Sequence, residues 1–137
     1  MPNIVYYHGT LPENVPAILK HGICPPKVCP VKESQRYHGC DPNAIFVSTD
    51  IYIATTFGES SESEPVIFEI TKLPKNCQIL PDPAGYDSFR IKGCKCIRPQ
   101  RYCKPTTGEI RKMDKMLEGD WPPKDMSKLC GNWKRVR

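Results

Sequence analysis

The chain has no apolar run of eighteen residues, which excludes a membrane-spanning helix of ordinary length. No apolar stretch follows Met1, so the sequence offers no signal peptide. That absence sets an expectation of a cytoplasmic protein with reduced thiols. Cys-x2-Cys spacing, the strong signature of a zinc site, is also missing. Two looser sets remain. One is Cys24, Cys29, His38 and Cys40; the other is Cys94, Cys96 and Cys103. Buried free thiols are the simpler expectation for both, and no metal is expected. Internal repeats are absent, and the only low-complexity segment is Glu59-Ser60-Ser61-Glu62-Ser63-Glu64.

What is present points to a small, turn-rich domain. In 137 residues there are 15 prolines and 9 glycines, which favours many short elements over long helices. The length suits one domain with a real core. The net charge of +5 is uneven. Residues 1–70 hold 4 Lys/Arg and 8 Asp/Glu, a net of −4, and residues 71–137 hold 16 and 7, a net of +9. A basic second half suits contact with an anionic partner, nucleic acid or an acidic protein. Lys92, Lys95, Arg98, Arg101 and Lys104, with Tyr102 among them, form the densest basic stretch, and Lys134, Arg135 and Arg137 form a basic tail.

The element pattern follows from periodicity and punctuation. Ile4–Tyr7 reads as a strand. A helix is expected from Leu11 to His21, with Thr10-Leu11-Pro12-Glu13 as a capping box, Pro16 in the first turn and Gly22 as the terminator. The stretch from Cys24 to Asn43 reads as a long functional loop. Ala44–Ser48 is an apolar strand, and Thr49-Asp50 caps a short helix from Ile51 to Phe57. Pro65–Ile70, Cys77–Leu80 and Ser88–Lys92 read as further strands, with another centred on Cys96-Ile97. Glu69 reads as a surface residue of its strand. Apolar positions 110, 113, 116 and 117 suggest a late amphipathic helix. Residues 1–104 then form one domain, and 105–137 a basic extension that packs back on it through Trp121 and Trp133.

Four motifs stand in order: Tyr7-His8-Gly9-Thr10 after the first strand, Ile18-Leu19-Lys20-His21-Gly22 ending the helix, Ile45-Phe46-Val47-Ser48 in the second strand, and Ala54-Thr55-Thr56-Phe57-Gly58 in the short helix. In this order the chain resembles the ADP-ribosyltransferase superfamily in its compact bacterial and phage forms, from about Ile4 to Tyr102. The resemblance implies an α+β fold with a split, mostly antiparallel β-sandwich core that holds NAD. It also implies roles. His8 bonds the ribose next to adenine, the Gly9 backbone binds the carboxamide, and Thr10 supports both. Phe57 stacks on the nicotinamide, with Tyr52 as a second choice, and Ser48 braces the pocket.

The implied chemistry is cleavage of the nicotinamide–ribose bond and transfer of ADP-ribose, assisted by a carboxylate. Relatives carry a Glu where this chain has Ser88, a clear departure from the pattern. Asp87 beside it and Asp82, in Leu80-Pro81-Asp82-Pro83, are the two alternatives, and a chain in which neither acts also stands. The small rifamycin-modifying relatives use an Asp. The acceptor implied is a nucleic acid or a protein. A toxin of this type would have an immunity partner; membrane contact is not expected, and a monomer is. Two further readings share the fold. One is a silent module that binds NAD, ADP-ribose or an RNA end. The other is an NAD-dependent RNA 2′-phosphotransferase, for which Arg36 and Arg90 would be the basic residues.

Overall fold

The computed structural model describes residues 4–25, 44–58, 65–81, 88–93, 95–118 and 130–136, with side chains except at 56–58 and 116–118. The apolar runs become short strands, broken where Pro and Gly interrupt them. In chain order they are β1 (Tyr6–Thr10), β2 (Ile45–Ser48), β3 (Val66–Ile70), β4 (Gln78–Pro81), β5 (Ser88–Lys92), β6 (Arg101–Cys103) and β7 (Lys134–Arg135). The helices are α1 (Val15–His21), entered through a 3-10 turn at Pro12–Asn14, α2 (Ile51–Gly58) and α3 (Thr107–Glu118). No helix among the described residues is long and apolar enough to cross a membrane.

The fold is α+β. Its seven strands form one sheet in the order β4-β5-β2-β1-β3-β6-β7, and every pairing is antiparallel. The resemblance implies a split sandwich; the described strands form a single sheet with one thin seam. β1 pairs with β3 at five positions, from Tyr6–Ile70 to Thr10–Val66. β1 meets β2 at one, Tyr7–Ser48.

Alternation along the strands gives the sheet two apolar faces. On one, Tyr6, Ile45, Val47, Val66, Phe68, Ile70 and Ile91 pack with Ile18 of α1 and with Ile23 and Ile97. On the other, Tyr7, Ile67 and Cys103 pack with Ile51 and Ala54 of α2 and Met113 of α3. β3 is buried along its whole length because both faces of it are covered.

The end of α1 is fixed by Gly22, as its sequence position suggests. Its φ is +84°, and a Cβ there would meet the Ile97 carbonyl oxygen at 2.9 Å. Ile23 and Ile97 exchange two backbone hydrogen bonds of 2.7 and 2.8 Å. A disulfide between Cys24 and Cys96 lies directly beside this bridge. Cys77 is disulfide-bonded as well. The expectation of reduced thiols therefore fails at these three cysteines. The Cys24–Cys96 bond also removes one sulfur from each of the two zinc sets. Cys29, His38, Cys40 and Cys94 lie outside the described residues.

Three other expectations are corrected. Leu11, not Thr10, precedes the 3-10 turn, and no side chain caps it. Thr10 Oγ1 instead accepts a bond of 2.9 Å from Asn14 Nδ2. The strand expected at Cys96-Ile97 is only the bridge to Ile23; the real strand, β6, starts at Arg101 because it pairs with β3 there. Glu69 is not a surface residue. It is buried and bound twice by Arg101, Nε to Oε1 and Nη2 to Oε2, both at 2.8 Å.

The C-terminal segment joins the same sheet and the same core. α3 starts with a capping box: Glu109 N donates to Thr106 Oγ1 at 3.1 Å, and Thr106 N donates to Glu109 Oε1 at 2.9 Å. Glu109 Oε2 accepts from Gly131 N at 2.8 Å and so ties the returning chain to the helix start. β7 then pairs with β6, and the Arg101 guanidinium lies 4.2 Å from the Trp133 ring centre. Trp121 lies outside the described residues.

Candidate functional site at the β1–β2 seam

The seam between β1 and β2 brings His8, Gly9, Thr10 and Ser48 onto neighbouring strands, with His8 and Thr10 on the α1 face and Ser48, the partner of Tyr7, on the other. Past the Tyr7–Ser48 pair the backbone ladder between the two strands stops. A side chain takes over: His8 Nδ1 lies 2.8 Å from the Phe46 carbonyl oxygen. A carbonyl can only accept, so Nδ1 carries the proton.

The ring's charge state follows from its surroundings. Burial pushes the His8 pKa down, and the bond to Phe46 offsets only part of that. At neutral pH the imidazole is therefore neutral, and Nε2 presents a lone pair. A neutral ring held by one nitrogen and accepting with the other is suited to a hydroxyl donor such as a sugar.

The neighbours are backbone-close and small. Gly9 is buried opposite Ile67 of β3. Thr10, also buried, ends the strand with its hydroxyl engaged by Asn14. On the other strand Ser48 is fully buried and stands opposite both Tyr7 and Ser88. It is the one residue of β2 that joins both halves of the sheet in register. Its Oγ accepts from Asp50 N at 3.0 Å, which shapes the turn into α2. Asp50 in turn caps α2, with Oδ1 accepting from Tyr52 N at 2.9 Å.

Tyr52 points its chemistry elsewhere. Its hydroxyl donates to Asp114 Oδ1 of α3 at 2.9 Å, and its ring packs with the Tyr7 face of the sheet. Alternation places His8 on the opposite face, with Tyr6 and Thr10. Phe57 belongs to the last turn of α2, and its side chain is outside the described ones. Asp82 and Asp87 also lie outside the described residues. Ser88 is buried against Ser48 in the pair that closes β2 onto β5.

Two groups escaped the sequence reading. The Glu69–Arg101 pair is flanked by Trp133, and the bidentate bond to the buried Glu69 carboxylate raises the pKa of the half-exposed Arg101. The signal was present, since Glu69 sits inside the apolar run Val66–Ile70, where a lone carboxylate needs a partner. Asp114, the partner of Tyr52, had no such signal because it is exposed on α3. Among the described residues no cluster of three or more His, Cys, Asp or Glu side chains could hold a metal ion. Compared with known protein families, characterised proteins and solved structures, the chain matches none.

Proposed function

We propose that the protein is an NAD-dependent mono-ADP-ribosyltransferase. The observation that carries this reading is His8: an imidazole fixed by Nδ1 on the Phe46 carbonyl at the point where the sheet's two halves part, which leaves the lone pair on Nε2. In this reading the seam is the split of the ADP-ribosyltransferase-like fold, and NAD enters it. His8 Nε2 accepts from the ribose beside adenine. The Gly9 backbone meets the carboxamide, and Thr10 and Ser48 hold the two walls. Phe57 stacks on the nicotinamide. Tyr52, whose hydroxyl is committed to Asp114, buttresses α2.

Cleavage of the nicotinamide–ribose bond leaves positive charge on the ribose, which a carboxylate stabilises while it takes a proton from the acceptor. Asp82 and Asp87 are the two residues proposed for that role. The basic second half of the chain suits a nucleic acid acceptor.

Ser88 favours a second reading. A small buried hydroxyl faces Ser48 where relatives carry a Glu, so a module that binds NAD or ADP-ribose without turnover fits the same seam. Incubation with labelled NAD and separate pools of DNA, RNA and protein decides between them. Transfer of label with release of nicotinamide supports the enzyme. Binding without nicotinamide release supports the silent module, and absence of binding removes both.

A further inference from the structure

Cys103 and Cys130 are the free cysteines among the described residues, and both are buried. They come from distant parts of the chain but share one apolar cluster with Tyr7, Ile67 and Met113. The surrounding bonds hold the two segments together. Cys103 Sγ donates to Asn132 Oδ1 at 2.9 Å, Asn132 Nδ2 donates to the Lys104 carbonyl at 3.3 Å, and Gly131 N is held by Glu109. The segment from Cys130 to Asn132 is thus fastened on both sides to the end of β6 and the start of α3.

The same chain carries a disulfide at Cys24–Cys96 and another at Cys77. Conditions that close those bonds act on every thiol pair that folding brings together. We infer that Cys103 and Cys130 form a further disulfide, a covalent staple that fixes the C-terminal arm to β6.

The oxidant is a small disulfide of the glutathione class. The Cys103 thiolate attacks one sulfur of that disulfide, and one glutathione thiolate leaves. The Cys130 thiolate then attacks the Cys103 sulfur and displaces the second. Two protein thiols lose two electrons and two protons, and two glutathione thiols are formed. Either cysteine can take the first step, because the exchange takes place during folding, before α3 and the arm bury the pair.

The staple encloses α3 and carries Trp133 onto Arg101. It is independent of the NAD reading, because it uses none of the seam residues.

The test is thiol mapping of the full chain, folded in a series of reduced and oxidised glutathione mixtures, quenched, denatured and alkylated before and after reduction. At the mixture where Cys24 and Cys96 are fully protected, Cys103 and Cys130 are expected to resist alkylation until reductant is added. The linked peptide that joins them is expected in the unreduced digest. Alkylation of both at that mixture would overturn the staple, as would a linked peptide pairing either with another cysteine. Failure of Cys24 and Cys96 to close in any mixture would overturn it too, since the inference rests on an oxidised chain.

Discussion

The two faces of the sheet are held by different forces. The α1 face has an apolar core beside His8 and Thr10 and is locked at its edge by a covalent bond, with Gly22 pressed against Ile97 and Cys24 joined to Cys96. The α2–α3 face also has an apolar centre, but its outer parts are joined by charge and hydrogen bonding. Arg101 binds Glu69 and lies over Trp133, Glu109 holds both Thr106 and Gly131, and Tyr52 reaches Asp114. One face should therefore answer to reductant and backbone changes, the other to charge and pH. The seam that carries His8 lies in the strand pair between them.

The disulfide gives the sharpest way to break this contrast. Removing it with Cys24→Ala and Cys96→Ala is expected to cost about 4 kcal/mol, from the loop entropy regained by the unfolded chain. Denaturant unfolding with and without reductant checks this. A variant no less stable than the oxidised parent would mean that the α1 face does not depend on the bond.

Arg101→Ala is expected to cost about 2 kcal/mol, because it strands the Glu69 carboxylate in a buried position. The figure is at the modest end for a buried pair because the Arg101 side chain is 40% exposed and Glu69 only 10%. The double variant Arg101→Met with Glu69→Leu should recover most of the loss. If it does not, the pair is more than a neutralised charge.

Gly22→Ala should cost about 2 kcal/mol, from the positive φ together with the crowding at Ile97. Salt should leave that loss unchanged, whereas it should shrink an effect on the charged face.

Glu109→Gln should be the smallest, about 1 kcal/mol, the scale of a lost cap. Burial raises the Glu109 pKa, but the bonds from Thr106 and Gly131 outweigh it and lower it below 4.5. The stability it contributes is present above pH 4.5 and disappears as the pH falls through the lowered value. The variant's melting curves should thus converge on the parent's in acid. His8 runs the same way for the opposite chemical reason. Its folded pKa lies below 6.5, so its contribution is complete above that pH and declines as acid protonates the unfolded chain first.

Many elements were legible because their signals are local. Apolar runs mark β2 and β3 to within a residue or so, alternation marks β5, Asp50 caps α2, and Gly22 ends α1 at the expected place. The charged face was harder. Strand β6 exists because β3 needs a neighbour, and Arg101 is there because Glu69 does; neither requirement shows in three residues read alone. The capping box at Thr106–Glu109 was readable by the same rule applied wrongly to Thr10–Glu13. The difference is that Pro12 opens a 3-10 turn, which takes the chain away from the box geometry. The disulfides were missed because compartment was inferred from the first residues, whereas pairing depends on which loops the Ile23–Ile97 bridge brings together. Of the seam, motif order singles out His8, Gly9, Thr10 and Ser48. The thin β1–β2 pairing that gives them a common place was not legible.

Calorimetric titration of NAD into the parent and into His8→Ala tests the seam most directly. With melting curves confirming that the variant is folded, the parent is expected to bind NAD and the variant to bind at least about tenfold more weakly, the worth of one lost hydrogen bond. Equal affinity in the two proteins, or no binding by the parent, would contradict the assignment of His8 and of the seam it marks.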